Sequence, residues 1–142
     1  MGFSGIGPLS ATALIARLGD LFMAGRLNEV TELWSFPCPV EVGGELRVMR
    51  DAEELLGFFQ RRLDRAKAAG LIALVPRVIA IEMPRKHRFR VWFRWVYHYA
   101  DREQEEEHSS VFYLHRKPLG NLSIEMMDIV RLPDVAIEAK SA

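Results

Sequence analysis

Residues 88–99, RFRVWFRWVYHY, constrain the fold of this chain more than any other stretch. The run contains no Gly, Pro, Asp or Asn. Its aromatic and β-branched side chains pack well on a pleated sheet and crowd one another on a helix. It therefore reads as a long strand, and side chains alternate across a strand. One face carries Phe89, Val91, Phe93, Trp95, Tyr97 and Tyr99, and the other carries Arg88, Arg90, Trp92, Arg94, Val96 and His98. The first face needs a core. The second is too apolar for water alone and too charged for a sealed interior.

Upstream of this strand the rhythm is helical. Residues 1–9 are glycine-rich and read as a flexible N-terminal segment. Ser10 is suited to cap a helix, since its hydroxyl can accept from a free N–H of the first turn. Leu14, Ile15, Leu18, Leu21 and Phe22 follow at helical spacing, and Gly25 suits a left-handed stop. A short second helix from Asn28 would bury Val30, Leu33 and Trp34. Phe36-Pro37-Cys38-Pro39 ends it, because proline lacks the N–H that a helix interior needs. Gly43-Gly44 between Val40–Val42 and Glu45–Met49 reads as a tight hairpin turn. Asp51 with Glu54 is a capping-box pattern. It opens a helix with the apolar stripe Leu55, Leu56, Phe59, Leu63 and Ala66, while Arg61, Arg62, Asp64, Arg65 and Lys67 face water.

After Gly70 the period drops to two. Strands are expected at Leu74–Met83, Arg88–Tyr99, Ser109–Arg116 and Leu122–Leu132, with the acidic loop 101–107 between the second and third. Residues 133–142 read as a peripheral tail. With no repeat and no linker, residues 10–132 form one domain. Helices followed by an antiparallel meander make it α+β.

The hydrophobic fraction of 49% suits one compact core, and equal numbers of acidic and basic residues, 19 each, argue against a nucleic-acid partner. The basic cluster Arg85, Lys86, His87, Arg88 is short and reads as a solvated strand entrance. Cys38 is the single cysteine, so an intramolecular disulfide is impossible and the thiol reads as buried and inert. No apolar run reaches the ~18 residues of a membrane span, and the first residues do not resemble a signal peptide. A cytoplasmic location is expected. Glu105, Glu106 and Glu107 read as solvated loop carboxylates, and neither a metal site nor a cofactor is expected.

Hairpin pairing assigns the faces. Centring the acidic loop near Gln104 sets Trp95 opposite Tyr113 and Phe93 opposite His115. Centring the last turn between Leu119 and Gly120 sets Tyr113 opposite Met126 and Val111 opposite Asp128. On this register Trp34, Trp95, Tyr97, Tyr113, His115 and Met126 line the space under the helices. Trp92, Arg94, Phe112, Leu114 and Arg116 form the outer face, with Arg116 placed to stack on Trp92. A mixed apolar and charged face of that kind suits a homodimer interface. Every assignment depends on register, since a one-residue slip exchanges faces.

Two N-terminal helices, a proline-rich break, a hairpin, the capped helix DAEELLGFF and a sheet built on RFRVWFRWVYHY resemble the nuclear transport factor 2-like superfamily, nearest its SnoaL-like (polyketide-cyclase-like) branch. The resemblance covers roughly residues 10–132 and rests on element order and hydrophobic rhythm. It implies a cone, in which helices close one side of a strongly curved antiparallel sheet over a pocket, and dimerisation through the outer face. It implies lyase or isomerase chemistry in some members and no known activity in many. The isomerases of the superfamily carry an acid just after the second helix and a tyrosine on the first. Here Cys38 stands near the first position and the first helix has no tyrosine.

Asp128 is the expected acid or base, because a carboxyl group among hydrophobes resists ionisation and titrates nearer neutrality. His115 lies four residues along the strand from Asp128's level on this register, about 13 Å away, so the two do not form a dyad. The sequence thus favours a domain that binds a small, mostly apolar ligand as a homodimer. The alternatives are a lyase or isomerase using Asp128, and a protein-interaction module using the outer sheet face.

Overall fold

The computed structural model describes residues 7–130, with side chains from residue 11 onward; residues 1–6 and 131–142, which include the expected end of the last strand at Leu132 and the tail, lie outside the described residues. The helix α1 (Gly7–Met23) begins upstream of Ser10, the residue expected to start it. Its face Ala11, Ile15, Leu18 and Leu21 is buried at the expected spacing, with Leu14 and Phe22 packed at the margins. α2 (Leu27–Thr31) starts one residue before Asn28 and has no side-chain cap. β1 (Cys38–Val42) and β2 (Glu45–Met49) form the hairpin, with Val42 paired to Glu45 across Gly43 and Gly44. Both glycines have positive φ, 59° and 87°, as a two-residue turn of this twist demands.

α3 (Ala52–Ala68) is capped by Asp51, whose carboxylate accepts from the Glu54 N–H at 3.0 Å. Glu54 reaches back to the Arg50 N–H at 2.8 Å, one residue further than in the usual reciprocal box. Leu55, Phe58, Phe59 and Leu63 are its buried face. The strands that follow are β3 (Leu71–Ile81), β4 (Arg88–Tyr99), β5 (Glu106–Arg116) and β6 (Leu122–Val130).

The six strands make one curved, unclosed sheet in the order β2-β1-β6-β5-β4-β3. The hairpin is not separate from the meander. β1 runs parallel to β6, pairing Val40 with Met127, so the sheet is mixed and not wholly antiparallel. The helices cover one face, where Phe93, Phe112, Ile15, Leu18 and Leu55 are sealed from solvent. The architecture is α+β, as expected. Among the described residues no helix is long and apolar enough to cross a membrane.

Two registers decide which side chains meet the helices. Between β5 and β6, Tyr113 pairs with Met126 and Val111 with Asp128, as the hairpin argument requires. Between β4 and β5, Trp95 pairs with His108, not Tyr113, and Tyr113 pairs with Arg90. This odd displacement exchanges the faces of β5 and β6 relative to β4. β5 begins at Glu106 and not at Ser109, so the acidic segment is part of the strand, with Glu107 on the sheet between Arg77 and Arg94 at 3.4 and 3.2 Å. Glu106 meanwhile accepts from the Tyr99 hydroxyl at 3.2 Å.

The assignments made from the other register are therefore corrected. Phe112 and Leu114 are not on the outer face; they are core residues, 2% and 1% exposed. Tyr113, His115, Met126 and Asp128 do not line the space under the helices; they share the outer face with Trp92 and Arg94. The Arg90 guanidinium, not that of Arg116, lies over the Trp92 ring at 4.9 Å, and Arg116 lies over Phe89. A bulge after Tyr113 turns Ile124 inward beside Leu114 and leaves Glu125 outside, where it meets Arg88 and His115 at 2.9 and 3.2 Å.

Candidate functional site

Trp34 is placed by backbone hydrogen bonds. Ser35 N–H donates to the Ile124 carbonyl and Ile124 N–H to the Leu33 carbonyl, both at 2.9 Å, which fixes the loop after α2 against β6. The indole is thereby held between Phe59 of α3 and Phe112 of β5, with ring centroids 5.2 and 5.7 Å away. On the opposite wall, Trp95 packs edge-on to Phe93 and Phe22. Gly19 of α1 admits this arrangement: a Cβ there would sit 3.3 Å from Trp95 Cζ3 and 3.4 Å from the Leu74 carbonyl oxygen.

These walls enclose a cavity of about 60 Å³, lined chiefly by Phe22, Trp34, Phe59, Leu63, Leu74, Trp95, Phe112 and Met127. That volume corresponds to about four to six water positions, enough for a small ring or a short chain. Its few polar groups are Arg62, Tyr97, His108 and Ser110. Trp34 Nε1 is buried without a hydrogen-bond partner. Such an N–H costs about 1–3 kcal/mol while unsatisfied.

The cavity shares Arg62, Ala66, Tyr97, His108 and Ile129 with a wider mouth of about 320 Å³. The mouth adds Val42, Arg65, Tyr99 and Glu106. Glu106 organises it. Its carboxylate accepts from Tyr99, lies 3.4 Å from His108 Nε2 and 4.0 Å from Arg102. The Tyr97 ring packs edge-on against the His108 imidazole at 4.7 Å and stacks on Tyr99 at 6.2 Å. Burial pushes the Tyr97 hydroxyl's pKa up, and Arg62 opposes this as a positive neighbour and hydrogen-bond donor. Burial also raises the pKa of Tyr99, and the negative charge of Glu106 adds to it. Both phenols are therefore neutral donors at neutral pH. An imidazole, two phenols and two guanidiniums around an apolar hole can position a carbonyl or carboxylate and move a proton.

Of the residues singled out in the sequence, Trp34, Trp95 and Tyr97 come together at the cavity. Arg62, His108 and Glu106 went unrecognised there. Arg62 sits on the helix flank next to the apolar stripe, partly buried over Phe58 at 5.4 Å. The signal for the other two was available: Glu106 and His108 continue the inward alternation that Ser110 and Phe112 begin. Cys38 is fully buried beside β6, and burial, with a smaller contribution from Glu125, raises its thiol pKa to about 12, so it is not a nucleophile. Among the described residues no group of three His, Cys, Asp or Glu side chains is placed to hold a metal.

No protein-family model matches the sequence, and no curated protein matches it. Solved structures do. An NTF-2 like protein of unknown function from Shewanella oneidensis superposes with a TM-score of 0.68 at 13% identity, over 84% of this chain and 95% of that one. Aln2 from a Streptomyces species gives 0.71 at 14% identity over 94% and 98%. A ketosteroid isomerase-like protein from Erwinia carotovora atroseptica gives 0.61 at 8% identity over 85% and 92%. At these identities the likeness establishes the fold alone.

Proposed function

From a chain with the nuclear transport factor 2-like cone fold, we propose a domain that binds a small, mostly apolar ligand in the cavity between helices and sheet, as a homodimer. The observation that carries this reading is an apolar hole walled by Trp34, Trp95 and Phe112 that opens on a mouth holding Arg62, Tyr97 and His108. Small-molecule sites have this composition: apolar walls and a few converging polar groups. Thermal melting of the full chain against lipophilic small molecules tests it. A ligand at a hundred times its Kd adds about 2.7 kcal/mol of stability, which raises the Tm by several degrees. Finding no stabilising compound, with Trp34 and Trp95 fluorescence unmoved, refutes it.

Homodimerisation is proposed through the outer sheet face, where Trp92 and Arg94 stand with Tyr113 and Met126; Arg116, over Phe89, is on the other face. Light scattering tests it, with a mass of two chains expected. A strictly monomeric species favours the alternative, a face that receives a different protein.

A second reading, proton transfer of the lyase or isomerase type, is favoured by the His108–Glu106 contact at the cavity mouth. His108 would be the base and Glu106 its orienting partner; Asp128, on the outer face, has no route to the cavity. The expected outcome is deuterium uptake at the α-carbon of a bound carbonyl compound, seen by NMR, lost in His108→Asn and kept in Asp128→Asn. Equal exchange in both variants rejects it.

A further inference from the structure

We infer that the cavity selects an amphipathic monocarboxylate, with its apolar body inside and its carboxylate at Arg62 and Arg65. The inference rests on the ligand-binding reading and narrows it to a chemical class.

The charges at the mouth carry the first part. Three charged side chains line it: Arg62, Arg65 and Glu106. Glu106 is already engaged by Tyr99, His108 and Arg102. Among the described residues neither Arg62 nor Arg65 has a carboxylate partner, and Arg62 lies over the Phe58 ring with Tyr97 beside it. Three residues apart on α3, the two arginines present their guanidiniums along one helix face. A planar guanidinium binds a carboxylate with two parallel hydrogen bonds. The nearby Glu106 carboxylate disfavours a dianion such as a phosphate monoester, so a single negative charge fits best.

The cavity carries the second part. Its walls are apolar, with Trp34, Phe59, Trp95 and Phe112 around it. Its volume limits the apolar body behind the carboxylate to a single ring or a short chain.

Isothermal titration of the full chain with three probes tests this: 3-(4-methoxyphenyl)propanoate, 3-phenylpropanoate and 3-(4-methoxyphenyl)propan-1-ol. The first should bind at least tenfold tighter than the alcohol. Arg62→Met should remove that preference while leaving alcohol affinity within threefold, and Arg62→Lys should restore part of it. The phenyl acid should also bind more tightly than the alcohol, since the carboxylate carries the preference. Circular dichroism confirms that each variant is folded, and Arg65→Met gives an independent variant at the rim, where a smaller loss is expected. If alcohol and acid bind equally well, the cavity binds ligands but the carboxylate assignment is wrong. If the preference survives Arg62→Met and Arg65→Met together, the arginines do not supply it and the inference falls. If none of the three probes binds, the inference falls, and the lipophilic melting screen decides separately whether the binding reading falls with it.

Discussion

Phe112 and Tyr113 are neighbours in sequence whose fates depend wholly on the β4–β5 register, so replacing each with alanine tests it. Phe112 is 2% exposed, with its ring centroid 4.7 Å from Phe93 and 5.7 Å from Trp34. Truncating a buried phenylalanine removes its transfer free energy and leaves a cavity that its neighbours fill only in part. The cost is about 3–5 kcal/mol, a large share of the ~5–15 kcal/mol that holds a domain of this kind together. With a urea slope of about 2 kcal/mol/M, Phe112→Ala should lower the unfolding midpoint by roughly 2 M. Tyr113 stands on the outer face beside Arg90, outside the core. Tyr113→Ala should cost about 1 kcal/mol or less. Urea unfolding followed by far-ultraviolet circular dichroism, at two protein concentrations a hundredfold apart, measures both. The concentration series separates loss of a dimer, which shifts the midpoint with dilution, from loss of the core, which does not. If Tyr113→Ala costs more than Phe112→Ala at both concentrations, the register is wrong, and the composition of the cavity is wrong with it.

Other expectations follow from single contacts. Gly19→Val should destabilise by about 1–3 kcal/mol and shift tryptophan emission, because a branched side chain there meets Trp95 and the β3 backbone. Gly19→Ala should be near neutral in urea, since a helix-propensity gain of about 1 kcal/mol offsets the tight contact. Asp51→Ala should cost about 1 kcal/mol of stability through the lost cap on α3, and Asp51→Asn should recover most of it. Cys38 should resist thiol reagents at pH 8 until the chain unfolds, since its raised pKa leaves almost no thiolate; labelling as fast as that of a free thiol refutes its burial. Alkaline stability follows from the same direction of shift. Cys38, Tyr97 and Tyr99 all hold their protons more tightly when folded. Their contribution is complete below the unfolded values of about 8.5 and 10 and is lost as pH rises toward the folded ones. The urea midpoint should hold from pH 7 to 8 and fall above pH 9, whereas a midpoint that rises there contradicts the shifts.

Local chemistry was legible wherever one short stretch contained its own reason. Gly43 and Gly44 supply the positive φ angles that their turn requires, Asp51 reaches a donor only three residues away, and the run 88–99 has a composition that suits a strand and crowds a helix. Inward placement of Trp95 and Tyr97 followed from the alternation of that strand alone. Arg62 was misjudged because a helix pattern separates apolar from polar residues but does not say which polar residue borders a cavity. Glu106 and His108 were misjudged because a run of acids resembles a loop until the partners on neighbouring strands, Arg77, Arg94 and Tyr99, are in place.

By itself the sequence determined the elements, their order and which residues alternate with which, because these depend on interactions within a few residues of chain. Only the tertiary structure decided that Phe112 lies inside and Tyr113 outside, and that Arg62, Tyr97, His108 and the Trp34 indole converge on one hole. Strand register is set by long-range pairing, and a shift by an odd number of residues leaves the sequence pattern intact while turning every side chain to the other face.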